Sequence, residues 1–476
     1  MTKKHLVIIG IVFLLGLLLR FYKLYGFATF LGDQGRDAII IKRILTFEHL
    51  PAIGAPTSIG QIYLGPFYYY FIAPWLALFK FDPFGLAFGV AVFSSLYVLI
   101  NYFIVRELLN EKVALISSAL IAFSSTLIEF ARFSWNPNLL PLFSLISVYF
   151  LIKSLKTHDL RFYALTGAFF SFSLQLHYLA FFLFPPAAIF FIMQLYEQKG
   201  LLKKMLLGAT VLLFSFLLSS IPLIIFDLRH NFLNTKNFLK LFTVSAPVAA
   251  NKFANLLDSF LYLNKFTFHS NLNLAASSFI LLFLTVSFIL VLKRKDNLRT
   301  LLLFLMLAML GISLYGGPKY PHYFACLYPF YYIILGYFLS LFLISTYWSA
   351  LIALFFAIYI FLNSQGYYFF FAKESIQIGV AKDIAQTIRQ NLTHKNYRLT
   401  SLPQRYADTT YRYFLEVWGK KPVEKDSLEK TEELFVVCED KCKPIGDPQW
   451  DVAYFAPRKI AGVWKTDNVK IYKLTR

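Results

Sequence analysis

Residues 32–44 read GDQGRDAIIIKRI and follow the first apolar run of the chain almost at once. Ile40, Ile41, Ile44 and Leu45 recur at helical spacing and form an apolar stripe. Asp33 and Asp37 stand four apart, so a helix puts them on one face with Arg36 beside them. A helix apolar on one side and charged on the other fits the outer interface of a membrane. A carboxylate at membrane depth costs about 3 kcal/mol on insertion scales, so it has a partner or a task. With partners only, Asp33 would N-cap this helix and Asp37 would pair with Arg36 or Lys42. With a task, the two acids belong to a site, and the rest of the chain bears on which.

Of 476 residues, 58% are hydrophobic and 15% charged, and the mean hydropathy is +0.59. Soluble domains run near a quarter charged, so the composition is that of a membrane protein. The 54 Phe and 30 Tyr suit packing of span against span, with Tyr also at home among headgroups. A net charge of +20 would suggest nucleic acid in a soluble protein. Here it reads as lysines and arginines that fix topology and face lipid phosphates, and no nucleic-acid partner is expected. Cys326, Cys438 and Cys442 are too few for a disulfide scaffold. Residues 1–26 begin like a signal peptide but lack a small-residue cleavage site, and further spans follow, so an uncleaved anchor is expected.

A span needs roughly 20 mostly apolar residues. Candidates fall near 6–25, 84–105, 113–130, 137–152, 161–176, 178–196, 205–226, 275–292, 299–315, 323–342 and 346–363, about eleven in all. The run 66–79, broken by Pro74, reads as interfacial or as one more span. Basic short segments at Lys3 and Lys4, 106–112, 153–161, 197–204 and 293–299 share one face, which makes that face, and the N-terminus, cytoplasmic. The other face collects 26–83, 131–138, the start of 177–186, 227–274, 315–324 and everything after about 364. Purely structural loops would scatter their polar residues over both faces.

The expected class is therefore mainly α: a multi-pass cell-membrane protein of about eleven transmembrane helices, with an amphipathic helix in its first outer loop. After Gln365 the composition turns mixed and polar, with short alternating runs. Residues 1–365 are expected to form the membrane domain and 366–476 a small extracytoplasmic α/β domain. Cys438 and Cys442 in that domain form a disulfide, two free thiols or a metal pair without partners. In the first outer loop, Gly54, Gly60 and Gly65 with Pro51, Pro56 and Pro66 call for a tightly turned, ordered excursion, and long loops of this kind are usually functional.

One amino-terminal span, a long outer loop opening on an acidic motif and an amphipathic helix, then an aromatic, Pro-containing re-entry, resembles the GT-C glycosyltransferases. The branch it resembles most is that of the protein O-mannosyltransferases and aminoarabinose transferases. The likeness covers about residues 1–345 and lies in the order of loose motifs. It implies a polyprenyl-phosphate-linked sugar donor, with mannose one candidate, and transfer on the outer face to a hydroxyl of a protein, lipid or glycan. Asp33 matches the first acid of the family motif and would be the general base, ionised and within reach of the acceptor hydroxyl. The second acid is replaced by Gln34, with Asp37 one turn later. Arg36 would keep Asp33 ionised, and cations would offset the charge developing on the leaving phosphate. No metal or other cofactor is expected.

The resemblance further assigns Arg132, at the outer end of a span in EFARFSWNPNLLP, to the phosphate, and Asn136 nearby to a neutral hydrogen-bonding role. Lys319, Tyr320, His322 and Tyr323 in GGPKYPHYF match a late outer loop that contacts donor phosphate or sugar. His177 joins the substrate-binding candidates, although a lone histidine serves as readily as a satisfied polar group. Asp227, Arg229 and His230 lie at another outer exit without metal-ligand spacing. No GxxxxGK[ST] loop is present, so ATP-driven transport is not expected. The alternative reading is a transporter or flippase of lipid-linked glycans, which should carry mid-span charges and two related halves.

Overall fold

The computed structural model describes residues 3–57, 62–240, 251–271, 274–291, 296–343, 346–403, 407–466 and 469–476. Each expected apolar run falls on helix, because an apolar segment in hydrocarbon must satisfy its own backbone groups. Lys3–Phe21, Phe84–Leu108, Asn136–Thr157, Tyr178–Glu197 and Lys199–Ser219 are long and apolar enough to cross a membrane. Shorter apolar helices include Phe67–Leu78, Asn297–Ser313 and Tyr328–Leu341. The chain is thus a mainly helical, polytopic membrane protein carrying a small sheet at its C-terminal end. Gly60 lies outside the described residues.

The 113–130 run, expected as one span, is two helices, Glu111–Phe123 and Ser125–Phe130. Ser124 between them is extended and its hydroxyl caps the second helix through the Leu127 N–H. Breaking a helix orphans its last four carbonyls, and here side chains take all of them. Tyr359 donates to Leu120 O at 2.9 Å. Arg20, fully buried, donates to Ile121 O at 3.1 Å and Ala122 O at 3.0 Å. Tyr367 donates to Phe123 O at 2.6 Å.

The amphipathic stretch is the helix Gly32–Leu45. Its apolar side packs on the Phe67–Leu78 helix, which buries Tyr68, Tyr69, Ile72, Ala73 and Leu76. Its first turn is capped by Gln34, whose Oε1 takes the Leu31 N–H at 3.1 Å, so Asp33 is not the cap. The loop beyond it is turned as the glycines require. Gly54 donates to Leu64 O at 2.7 Å, and a Cβ on Gly54 would lie 2.3 Å from Gly65 O. Asn234 then pins the loop by exchanging two hydrogen bonds with the Tyr63 backbone.

The C-terminal sheet has the order β1-β2-β4-β3. Strand β1 (Tyr397–Leu402) pairs parallel with β2 (Glu433–Cys438). Strand β4 (Val469–Thr475) is antiparallel to β2 and to β3 (Lys459–Thr466). The inner strand β2 and the edge strand β1 are both buried along their whole length, while β3, the other edge, is mostly exposed. A disulfide joins Cys438 to Cys442.

This unit grips the amphipathic helix through its own helix Thr409–Val417. A Cβ on Gly35 would lie 2.6 Å from Thr410 N, so only glycine permits that approach. Thr409 Oγ1 donates to Gly32 O at 2.7 Å. Further along, Arg43 forks onto both oxygens of Glu416 at 2.8 Å each, and Lys42 reaches the same carboxylate at 3.4 Å. Tyr413 donates to Phe81 O at 2.7 Å.

Candidate active site

A cavity of about 140 Å³ opens beside the first turn of the Gly32–Leu45 helix. That helix contributes Asp33 and Arg36, and the first outer loop adds Ala55, Pro56, Thr57 and Leu64. Trp135, Asn136 and Pro137 come from the 131–138 loop, His177 and Tyr178 from the end of the Leu160–Leu176 helix, and His322 and Tyr323 from the late loop. Four segments far apart in sequence thus supply one site.

Asp33 and Asp37 share a helix face but not an environment. The Asp33 side chain is 55% exposed and receives Arg36 Nη1 at 2.8 Å. Asp37 is 0% exposed. Its Oδ1 accepts Arg36 Nε at 3.0 Å, Nη2 at 2.8 Å and the Tyr69 hydroxyl at 3.0 Å, while Oδ2 has no partner within the protein. Arg36 is therefore held flat by the buried acid and presents its remaining edge to the open one. Burial raises the Asp37 carboxyl to about 6 against the opposing pull of Arg36 and Tyr69. Burial alone would lower the Arg36 guanidinium, but Asp37 and Asp33 together hold it above its ordinary value.

The 131–138 loop is fixed from both sides. Ser134 bonds Tyr68 through its hydroxyl at 2.6 Å and accepts Gln34 Nε2 on its carbonyl at 3.3 Å. Asn138 Nδ2 donates to Phe133 O at 2.9 Å. Gln34, where the family motif has a second acid, therefore ties the helix cap to this loop. Asn136 is 1% exposed, and neither its Oδ1 nor its Nδ2 has a partner within the protein.

His177 Nδ1 accepts the Leu179 N–H at 3.2 Å, which leaves Nε2 to carry the proton in the neutral ring. Its ring centroid lies 5.6 Å from that of His322, which packs edge-on to Trp135 at 4.7 Å and stacks on Tyr320 at 5.9 Å. Burial pushes His177 down to about 3, with His322 adding to the effect, and burial pushes His322 down to about 4.

The cavity brings together Asp33, Arg36, Asn136, His177 and His322, with Asp37 directly behind Arg36. It does not include Arg132. That residue is 1% exposed, and its guanidinium donates to the carbonyls of Leu19, Arg20, Tyr22 and Lys23 at 3.0–3.4 Å, stacked over Phe369 at 4.1 Å. It closes the C-terminal end of the first span, apart from the cavity in which the expected phosphate role would be played. Lys319 is turned away as well, bonded to Asn255 Oδ1 at 2.7 Å and Asp258 Oδ2 at 3.3 Å. Tyr320 is 52% exposed and touches the site through His322 and Tyr323. Asp227 binds the Asn234 and Thr235 backbone at 2.7 and 3.1 Å, an anchor for the helix after it. Trp135 and Tyr178 were not among the expected residues.

Residues 64–225 match the family model described as dolichyl-phosphate-mannose-protein mannosyltransferase. The fold is similar to that of ArnT from Cupriavidus metallidurans, solved bound to undecaprenyl phosphate. That match has a TM-score of 0.63 and 13% identity over 99% of this chain and 98% of that one. The archaeal oligosaccharyltransferase AglB from Archaeoglobus fulgidus, solved with an inhibitory peptide and a dolichol-phosphate, gives a TM-score of 0.57. Identity there is 15% over 91% of this chain and 69% of that one. No curated protein matches by sequence. Over residues 64–225 the chain is similar to that mannosyltransferase family, and over most of its length it shares the fold of ArnT and AglB.

Proposed function

We propose that this protein moves a sugar from a polyprenyl-phosphate donor to an acceptor hydroxyl on the outer face of the membrane, with inversion at the anomeric carbon. The observation that carries the reading is the Asp33–Arg36–Asp37 arrangement: an open carboxylate and a fixed guanidinium edge at the mouth of one cavity. Asp33 takes the proton from the acceptor hydroxyl as its oxygen bonds to the anomeric carbon. The bond from that carbon to the phosphate oxygen breaks, and the polyprenyl phosphate leaves with the electron pair. Arg36, oriented by Asp37, offsets the charge that develops on the phosphate. The lipid-linked ligands of the two similar structures support a donor of this class.

In this reading the N-terminus is cytoplasmic, residues 1–365 are the catalytic membrane domain, and 366–476 lie outside and brace its key helix. A flippase of lipid-linked glycans is the competing function. Asp33→Asn in lipid, compared with wild type on a panel of radiolabelled polyprenyl-phosphate sugars, separates the two. Expected is donor turnover by wild type that falls at least about a hundredfold in the variant while donor binding persists. Undiminished turnover removes Asp33 as base. No turnover of any donor, with the lipid crossing the bilayer, favours the flippase.

A further inference from the structure

The cavity has two unlike sides. Its rim holds Asp33 and Arg36, the only lining residues, among those described, that are charged at neutral pH. Its wall, built by Trp135, Asn136, His177, His322 and Tyr323, carries no charge, because burial keeps both imidazoles neutral at pH 7. Lys319, the lysine nearest in sequence to His322, is committed to Asn255 and Asp258.

Asn136 is the polar centre of that wall. It is 1% exposed, and its amide offers an acceptor and two donors with no partner in the protein. Burying such a group unpaired is unfavourable, so its ligand is one that answers both functions. A hydroxyl donates and accepts, and satisfies either end of the amide. A carboxylate only accepts and would set its charge against Asn136 Oδ1, while the one lining cation among the described residues, Arg36, is held by Asp33 and Asp37 and faces the phosphate in the reading above. An ammonium only donates and would be desolvated among neutral rings, with the one lining acid among the described residues, Asp33, already paired with Arg36. Asp33 acts at the anomeric carbon, so the far side of the sugar ring meets the wall and not the rim.

Resting on the donor reading above, we infer that the wall is the sugar subsite and that it selects an uncharged, hydroxyl-rich sugar. Asn136 grips the ring hydroxyls while Trp135 and His322 cover its C–H faces. Amino sugars and uronic acids are excluded by the missing counter-charge and not by size.

The test uses the full chain in lipid nanodiscs, with polyprenyl phosphates carrying glucose, mannose, a 4-amino-4-deoxypentose or glucuronic acid. Release of free polyprenyl phosphate and donor binding are both measured. Neutral-sugar donors are expected to be turned over about tenfold faster or more than either charged one. Asn136→Leu should cut neutral-donor kcat/KM by about tenfold to a hundredfold, mostly through KM. Asn136→Asp should shift the preference toward the amino sugar by about tenfold. A charged donor used as well as any neutral one by wild type overturns the inference, as does an Asn136→Leu variant with unchanged KM. If no donor is turned over, the transferase reading fails by itself. Binding then decides the subsite: neutral donors bound in preference to charged ones uphold it, and equal binding overturns it.

Discussion

Asp33 and Asp37 were read from the sequence as two acids on one helix face, and that spacing is what the structure contains. What spacing could not show is that one is open and the other sealed under Tyr69, the difference on which the proposed division into base and positioning residue rests. The folded-state value of Asp37 is raised from 3.8 to about 6. Folding thus favours its protonated form, a stabilisation complete below pH 3.8 and lost as pH rises through about 6. The clamp on Arg36 needs the ionised form, so activity should run the other way, falling as pH drops through about 6. Asp37→Asn is expected to be at least as heat-stable as wild type at pH 8 while losing about tenfold or more in activity and the inflection near pH 6. Thermal melts and pH–rate profiles on the same samples check both signs. Arg132 teaches the opposite lesson: an arginine at a span end reaches lipid, ligand or backbone equally well, and sequence alone does not choose. Arg132→Ala should cost about 3 kcal/mol or more of stability by leaving buried carbonyls unpaired. The fraction that folds should keep the wild-type KM for donor, measurable after size-exclusion recovery.

Among elements, the apolar runs were legible because hydropathy over a span is a strong signal. The break at Ser124 was not, since three hydroxyl residues in IAFSSTLI are tolerated within a span and the partners of the break come from other parts of the chain. Trp135 and Tyr178 were hidden for a related reason. In a chain with 54 Phe and 30 Tyr, one more aromatic at a loop carries no information. Least visible was the brace between the amphipathic helix and the Thr409–Val417 helix, whose Arg43–Glu416 pair is separated by 373 positions. Glu416 is 2% exposed and holds two cations, so removing it leaves Lys42 and Arg43 partly buried without that partner. Glu416→Ala should lower donor turnover by about tenfold through the freed helix. Glu416→Gln, which keeps the shape and loses the charge, should fall between the two. A hydrogen-exchange increase confined to residues 32–45 and 409–417 would identify the brace as the cause, and an unchanged pattern would reject it.

At the scale of the whole molecule, four of the six polar segments that the sequence placed on one face, 26–83, 131–138, 177–186 and 315–324, meet in one cavity. The proposed orientation predicts that Lys425→Cys, on the exposed surface of the sheet unit, is modified in intact cells by a membrane-impermeant maleimide. Labelling only after permeabilisation would reverse the topology and put the cavity on the cytoplasmic side. Cys326 is buried and should stay silent in the same assay.

The broken helix at Ser124 also has a history in the making of the chain. Its exposed carbonyls wait for Arg20, which the ribosome has already delivered, and for Tyr359 and Tyr367, which arrive more than two hundred positions later. Until then the newborn protein carries an unfinished seam at its centre, recognisable to quality control. Completion of the last membrane helix is the event that closes it, so a chain cut short before Tyr359 should be inserted and then degraded, while one ending just after Tyr367 should persist.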